Sequence, residues 1–360
     1  MAEAGLVYTV KDRSVLLPHY KRFVVEPLIR FIPRSVDPNS ITHIGHLICL
    51  VGVSVLLAFG TFVPAGGTVR VPFIVGVVCL QLYNWCDNAD GAHARRTGRT
   101  SAMGELLDHG LDMLNTTYIA YAAAISIDAP PAWWVGIALV VPAACAATYW
   151  EQAETGVFSV GPLNQIESVM LLSSVLLISA VFGFGAWDYV HIGPVTARLT
   201  VMGFVAATAT VTILQNVARV VARLGAAAIP RIAALVLFDL GVLAAMMVGA
   251  LSPVSAVIVG SAGNVFFGLR SLAMRTAGER PTVEKGMVVG GLLVLGLVGW
   301  KLTNQPVGRT VDWAASVAAT LFFGACAVAN ARDARRKVIR LDLEAAAARA
   351  EAVPVPVPAA

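Results

Sequence analysis

The 360-residue chain is 57% hydrophobic and 13% charged, with a mean hydropathy of +0.74, whereas soluble domains run at about 45–50% apolar and about 25% charged. That balance excludes an ordinary water-soluble globular protein. The net charge of +4, thinly spread, gives no basic face for nucleic acid, and Cys49, Cys79, Cys86, Cys145 and Cys326 lack the pairing of a disulfide scaffold and the spacing of a zinc site.

Residues 1–40 mix basic and bulky apolar groups, as in Tyr20-Lys21-Arg22-Phe23 and Leu28-Ile29-Arg30-Phe31, which reads as an interfacial amphipathic segment and not as a cleavable signal. A bilayer core takes about 20 apolar residues per helical crossing. Ten apolar runs qualify as candidate spans, near 41–62, 70–86, 104–127, 131–149, 166–187, 197–222, 230–251, 253–270, 285–303 and 310–331. The expected fold is therefore an all-α polytopic membrane bundle. With the N-terminus inside, 22 of the 26 Lys and Arg residues fall on the inner side and only Arg70, Arg198, Lys301 and Arg309 outside, so both termini are expected in the cytoplasm. Residues 41–222 hold the densest polar chemistry and form the expected catalytic core, 223–331 add further helices, and 332–360 form a basic, partly disordered tail that begins with Arg332, Arg335, Arg336 and Lys337.

The chemistry concentrates where the second span leaves the membrane. Asp87 and Asp90 are spaced i, i+3, and Asp108 and Asp112 i, i+4, so on helices each pair shares a face. A solvated loop balanced by Arg95, Arg96 and Arg99 would account for one aspartate, but not for four in helical phase. Each such group costs about 2.5–3.5 kcal/mol at membrane depth, and like charges repel, so cations must offset them. Oxygen-only ligands select hard divalent ions, which bind through carboxylates and substrate phosphates. A diphosphate or nucleotide substrate is thus expected. Gly91, Ala94 and Gly104 leave room at the helix backbone, or equally let helices pack closely, and Arg95 offers a fork for phosphate oxygens. His93 and His109 read as polar neighbours, because hard cations leave imidazole no required place. Glu151, Glu154 and Glu167, after the fourth span, form a second acidic group that either faces an acceptor or lies on the loop surface.

The full pattern, D-x2-D-G-x2-A-R-x8-G-x3-D-x3-D, resembles the signature of the CDP-alcohol phosphotransferase family, with every position filled. The resemblance implies that Asp87, Asp90 and Asp108 hold two divalent ions, Mg²⁺ or Mn²⁺, that Asp112 completes the site and serves as base, and that Gly91, Ala94, Arg95 and Gly104 surround the CDP moiety. Three stretches resemble the choline/ethanolamine phosphotransferase branch: His19-Tyr20-Lys21 through Pro38-Asn39-Ser40-Ile41-Thr42-His43-Ile44-Gly45, Asp90-Gly91 to Arg95-Arg96-Thr97-Gly98 followed by Gly104-Glu105-Leu106-Leu107-Asp108-His109-Gly110, and Trp150-Glu151 with Thr155-Gly156 and Glu167. This implies transfer of a phosphocholine or phosphoethanolamine group from a CDP-alcohol to a diacylglycerol-like lipid, with release of CMP, at a cytoplasmic-side site in a membrane protein that commonly forms homodimers. The alternatives are a CDP-diacylglycerol-dependent transfer onto a small polar alcohol and, from another class, a cation transporter, since transporters also cluster intramembrane aspartates.

Overall fold

The computed structural model describes residues 9–59, 70–279, 282–303 and 308–351. The expected spans and segments at 1–8, 60–62 and 352–360 lie outside the described residues. The chain opens with β1 (Thr9–Asp12), then α1 (Leu17–Tyr20), a π-helical stretch Lys21–Val25 and α2 (Glu26–Ile29). Long helices follow: α3 (Pro38–Phe59), α4 (Val71–Thr97), α5 (Ala102–Ser126), α6 (Pro131–Thr155) and, after strand β2 (Val157–Val160), α7 (Gln165–Phe182). The short α8 (Ala186–Tyr189) and the two-residue strands β3 (His191–Ile192) and β4 (Val195–Thr196) lead into α9 (Ala197–Leu224), α10 (Ile229–Met247), α11 (Pro253–Thr276), α12 (Lys285–Leu302) and α13 (Arg309–Glu351). Among the described residues, eight of the long helices are apolar and long enough to cross a membrane. The other two, α4 and α5, carry the aspartates and pack among them. The protein is an all-α polytopic membrane bundle, and large apolar side chains such as Leu237, Leu293 and Leu321 face outward, as lipid contact requires.

Close helix approach comes from small residues. A Cβ on Gly45 would sit 2.7 Å from Cys86 Cβ, and one on Gly52 2.4 Å from Cys79 Cβ, so α3 lies almost backbone to backbone along α4. One buried cluster joins α3, α4, α5 and α7 through Cys49, Leu56, Phe73, Leu80 and Leu176. A larger one joins α5 and α6 to α9–α13 through Met113, Trp150, Leu235, Phe238, Phe266 and Leu272. On the face opposite the aspartates, Arg198 fastens the connections between helices. Its Nε and Nη2 donate to Asp188 at 2.8 and 2.7 Å, and further guanidinium N–H groups reach the carbonyls of Ile127, Asp128 and Phe184.

The N-terminal segment is bound at several points. β1 pairs in parallel with β2, Thr9 opposite Val157. Ser14 Oγ and the Leu16 amide donate to Glu167 Oε1 at 2.6 and 2.8 Å. Tyr20 and Val25 bury against Cys86, Ala89 and Ile166. Arg96 then donates to the Ile29 and Ile32 carbonyls at 2.8 and 2.7 Å. His93, fully buried, takes an Arg96 N–H on Nδ1 and therefore donates from Nε2 to the Val36 carbonyl at 3.0 Å. These two residues staple the segment to α4, which gives His93 a structural role.

Candidate active site

Two sequence features bring the aspartates together. Gly98 ends α4 in the left-handed conformation (φ 69°), where a side chain would be strained, and Gly98 and Arg99 return amides to the Arg95 and Ala94 carbonyls. Ser101 then caps α5 by accepting the Gly104 amide at 3.0 Å. The chain reverses within this short turn, so the last turns of α4 and the first turns of α5 lie at the same end of the bundle.

Asp87, Asp108 and Asp112 present carboxylate oxygens that all lie within 4.8 Å of one another. Asp90 adjoins them in contact with Asp108, while Asp87 meets Asp112. Asp90 is 3% exposed, and it accepts Thr42 Oγ1 at 2.6 Å and its neighbour Gly91's amide at 2.5 Å. Asp112 accepts the Tyr83 hydroxyl at 3.2 Å, and Tyr83 in turn accepts Gln165 Nε2 at 2.9 Å. Tyr83 and Gln165 were not singled out from the sequence, and Thr42 entered only within a stretch of family resemblance and not as a site residue. Tyr83 lies one turn before Asp87 on the same face and could have been found by phase, whereas Gln165 reaches the site only through the packing of α7 on α4.

Three carboxylates this close, with a fourth adjoining, cannot all remain charged without cations between them. The donor set is wholly oxygen, so these residues fit hard divalent ions such as Mg²⁺ or Mn²⁺ and not zinc. Around them, a Cβ on Gly91 would come 3.3 Å from Arg95 Nη1, and one on Gly104 would meet Ser101 Oγ at 3.2 Å and Asn39 Oδ1 at 3.4 Å. Arg95 thus folds over Gly91, and Gly104 keeps a gap beside Asn39. The N-terminal segment overlooks the same mouth. Burial and then the Asp87 charge push the Tyr20 hydroxyl up to about 12, and burial followed by Arg95 holds the Lys21 ammonium below its ordinary value.

The three glutamates are placed elsewhere, on helices and not on a loop. Glu151 is 2% exposed and pairs with Arg219 through two bonds of 2.7 Å, with Ser159 Oγ donating at 3.0 Å. Glu154 pairs with Arg231 and accepts Trp150 Nε1 at 3.0 Å. Glu167 closes a capping box with Asn164. None of the three joins the group of mutually close carboxylates. His109, by contrast, lies beside that group on α5. Its Nδ1 is 3.9 Å from Glu105, which is held by Arg275 at 2.5 Å, and its ring stacks on Phe158 and tilts against Tyr149, both with centroids at 5.5 Å.

Residues 36–196 match the family model described as CDP-alcohol phosphatidyltransferase. Among curated proteins, the chain is 31% identical over 213 residues to cholinephosphotransferase 1 of Gallus gallus, covering 56% of this chain and 61% of the relative. It is 33% identical over 187 residues to the Mus musculus protein of that name (51% and 46%) and 31% over 167 residues to the Homo sapiens one (45% and 40%). The matched region thus spans about half the length of these relatives. Residues 36–196, which hold the whole aspartate constellation, are thus similar to the CDP-alcohol phosphatidyltransferase family model, and the relatives named here are cholinephosphotransferases.

Proposed function

We propose that this membrane protein transfers a phospho-alcohol group from a CDP-alcohol to the hydroxyl of a diacylglycerol-like lipid and releases CMP, with two divalent ions required. The observation that carries the reading is the convergence of Asp87, Asp108 and Asp112 within 4.8 Å, with Asp90 adjoining, at one end of two helices packed inside a membrane bundle. The four aspartates would hold Mg²⁺ or Mn²⁺, which when bound neutralise the diphosphate and the charge developing on the departing CMP. Gly91, Ala94 and Gly104 leave room for the nucleotide, and Arg95 grips its phosphate oxygens. The acceptor oxygen attacks the phosphorus that bears the alcohol. A new P–O bond forms, the bond to the bridging oxygen breaks, and CMP leaves with that electron pair while Asp112 takes the hydroxyl proton. The basic residues gathered at the aspartate end support a cytoplasmic-side site, open both to a water-soluble donor and to a lipid sliding in between helices.

One observation favours a second proton acceptor. His109 Nδ1 is buried without a hydrogen-bond partner, 3.9 Å from Glu105, one turn before Asp112 on α5. Glu151, Glu154 and Glu167 act on the acceptor side indirectly, by fixing α6 against α9 and α10 and α7 against the N-terminal segment.

The test uses detergent-purified protein, Mg²⁺ or Mn²⁺, a panel of CDP-alcohols and diacylglycerol, with CMP and product lipid both measured. Asp87→Asn, Asp90→Asn and Asp108→Asn should each abolish turnover. Near-native activity in the three folded variants would overturn the metal assignment, and product formed only from CDP-diacylglycerol and a polar alcohol would reverse the substrates. Asp112→Asn and His109→Gln separate the two proton acceptors, because the one that serves should lose turnover while still binding CDP-alcohol.

A further inference from the structure

The face of α6 that packs on α5 carries a polar group that no hydrogen bond among the described residues satisfies. Cys145, Tyr149 and Gln152 are spaced i, i+4, i+7 and share one helix face. Cys145 Sγ receives the Thr116 hydroxyl of α5 at 3.6 Å, and the Tyr149 ring lies 5.5 Å from the His109 ring of α5. The two helices run antiparallel, so Gln152 continues this stripe toward the end where Glu105 and Asp108 stand. Gln152 is 0% exposed, and among the described residues neither its Oε1 nor its Nε2 has a hydrogen-bond partner. A buried carboxamide with both ends unmet is costly, and the cost is removed when a ligand supplies partners.

The surroundings restrict what that ligand can be. Glu151 is taken by Arg219, Glu154 by Arg231 and Glu105 by Arg275, so these three carboxylates on α5 and α6 are not free to hold a fixed cationic charge. The aromatic rings nearby do not open into a cage either. His109, Tyr149 and Phe158 lie against one another at 5.5–6.0 Å with interplanar angles of 14–31°, a near-parallel cluster and not the set of rings at steep mutual angles that boxes in a quaternary ammonium. What remains is an amide oxygen that needs an N–H or O–H.

Resting on the transfer reading above, we infer that Gln152 selects the donor's alcohol, accepting a hydrogen bond from a head group that carries at least one N–H or O–H, so that CDP-ethanolamine is preferred over CDP-choline. A site built around a hydrogen bond discriminates strongly against an analogue that lacks the donor, because its buried polar atom is then left bare.

The experiment measures CMP release, with diacylglycerol as acceptor, from CDP-ethanolamine and its mono-, di- and trimethyl forms. The protonated dimethyl form retains one N–H and the trimethyl form has none. The expected result is a modest decline to the dimethyl donor and a fall of about tenfold or more in kcat/KM at the third methyl. In Gln152→Leu that step should shrink to within about threefold, and Gln152→Asn, checked for an unchanged melting profile, should retain part of it. A wild-type protein that uses CDP-choline as well as the dimethyl donor, or a step unchanged in Gln152→Leu, overturns the assignment of Gln152 while transfer itself stands. No CMP from any CDP-alcohol overturns both.

Discussion

Removing Arg219 should damage the fold more than removing the glutamate it serves. Glu151 is 2% exposed, with its carboxylate satisfied by two guanidinium N–H groups at 2.7 Å and the Ser159 hydroxyl at 3.0 Å, whereas the Arg219 side chain is 40% exposed. Arg219→Met leaves a buried charge with one hydroxyl for company, a loss of about 3–5 kcal/mol. Glu151→Gln keeps an oxygen for one N–H and leaves an arginine that can turn to water, a loss of about 1 kcal/mol. The gap of roughly 2–4 kcal/mol corresponds to about 4–8 °C, at about 2 °C per kcal/mol for a chain of this size. Tryptophan fluorescence during heating in detergent, at one fixed scan rate, reads the difference. The double variant should melt above Arg219→Met, because the stranded charge is gone. Equal midpoints for the two single variants, or no recovery in the double, would refute this reasoning. A direct acceptor-side role for Glu151 makes the opposite forecast, with Glu151→Gln losing turnover at an unchanged midpoint.

Gly104→Leu should weaken CDP-alcohol binding more than it lowers the melting midpoint, because the added carbons enter the gap toward Asn39 Oδ1, 3.4 Å from the first of them, and not a packed core; calorimetry and melting on the same sample decide the order. Single cysteines introduced at Arg95 and at Arg336 should both be labelled from the cytoplasmic side by a membrane-impermeant maleimide, and a signal from the other side at either position would break the even-span topology. At the opposite end, the Arg198 hydrogen bonds hold the Asp188 carboxyl below its ordinary value. A depressed folded value means that the clamp contributes fully above the unfolded carboxylate range and is lost as pH falls through the folded one. The midpoint difference between wild type and Asp188→Asn should therefore be constant above about pH 5, begin to shrink near about pH 4 and vanish only below the depressed folded value.

The gathering of the acids was legible in the sequence because it is local. Asp87 and Asp90 share one helix turn, Asp108 and Asp112 another, and the turn from Gly98 to Ser101 joins them, so helical phase and a short reversal suffice to gather the acids. Eight of the ten long helices were equally legible, since a span must satisfy its own backbone and so announces itself by length and apolarity, whereas α4 and α5 carry the aspartates and stand out less by apolarity. Charge partners were not. Glu151 finds Arg219 at a separation of 68 residues, Glu154 finds Arg231 at 77, and Glu105 finds Arg275 at 170. Sequence spacing assigns such acids no partner, and the three glutamates after the fourth span looked available until the packing of α6 on α9 and α10 tied up two of them and the N-terminal segment the third. The same packing decided that His93 is a staple, that His109 stands beside the aspartates, and that Gln152 is buried with neither end of its amide met among the described residues. Each of these depends on which helix faces are pressed together, a property of the assembled bundle that no single segment encodes.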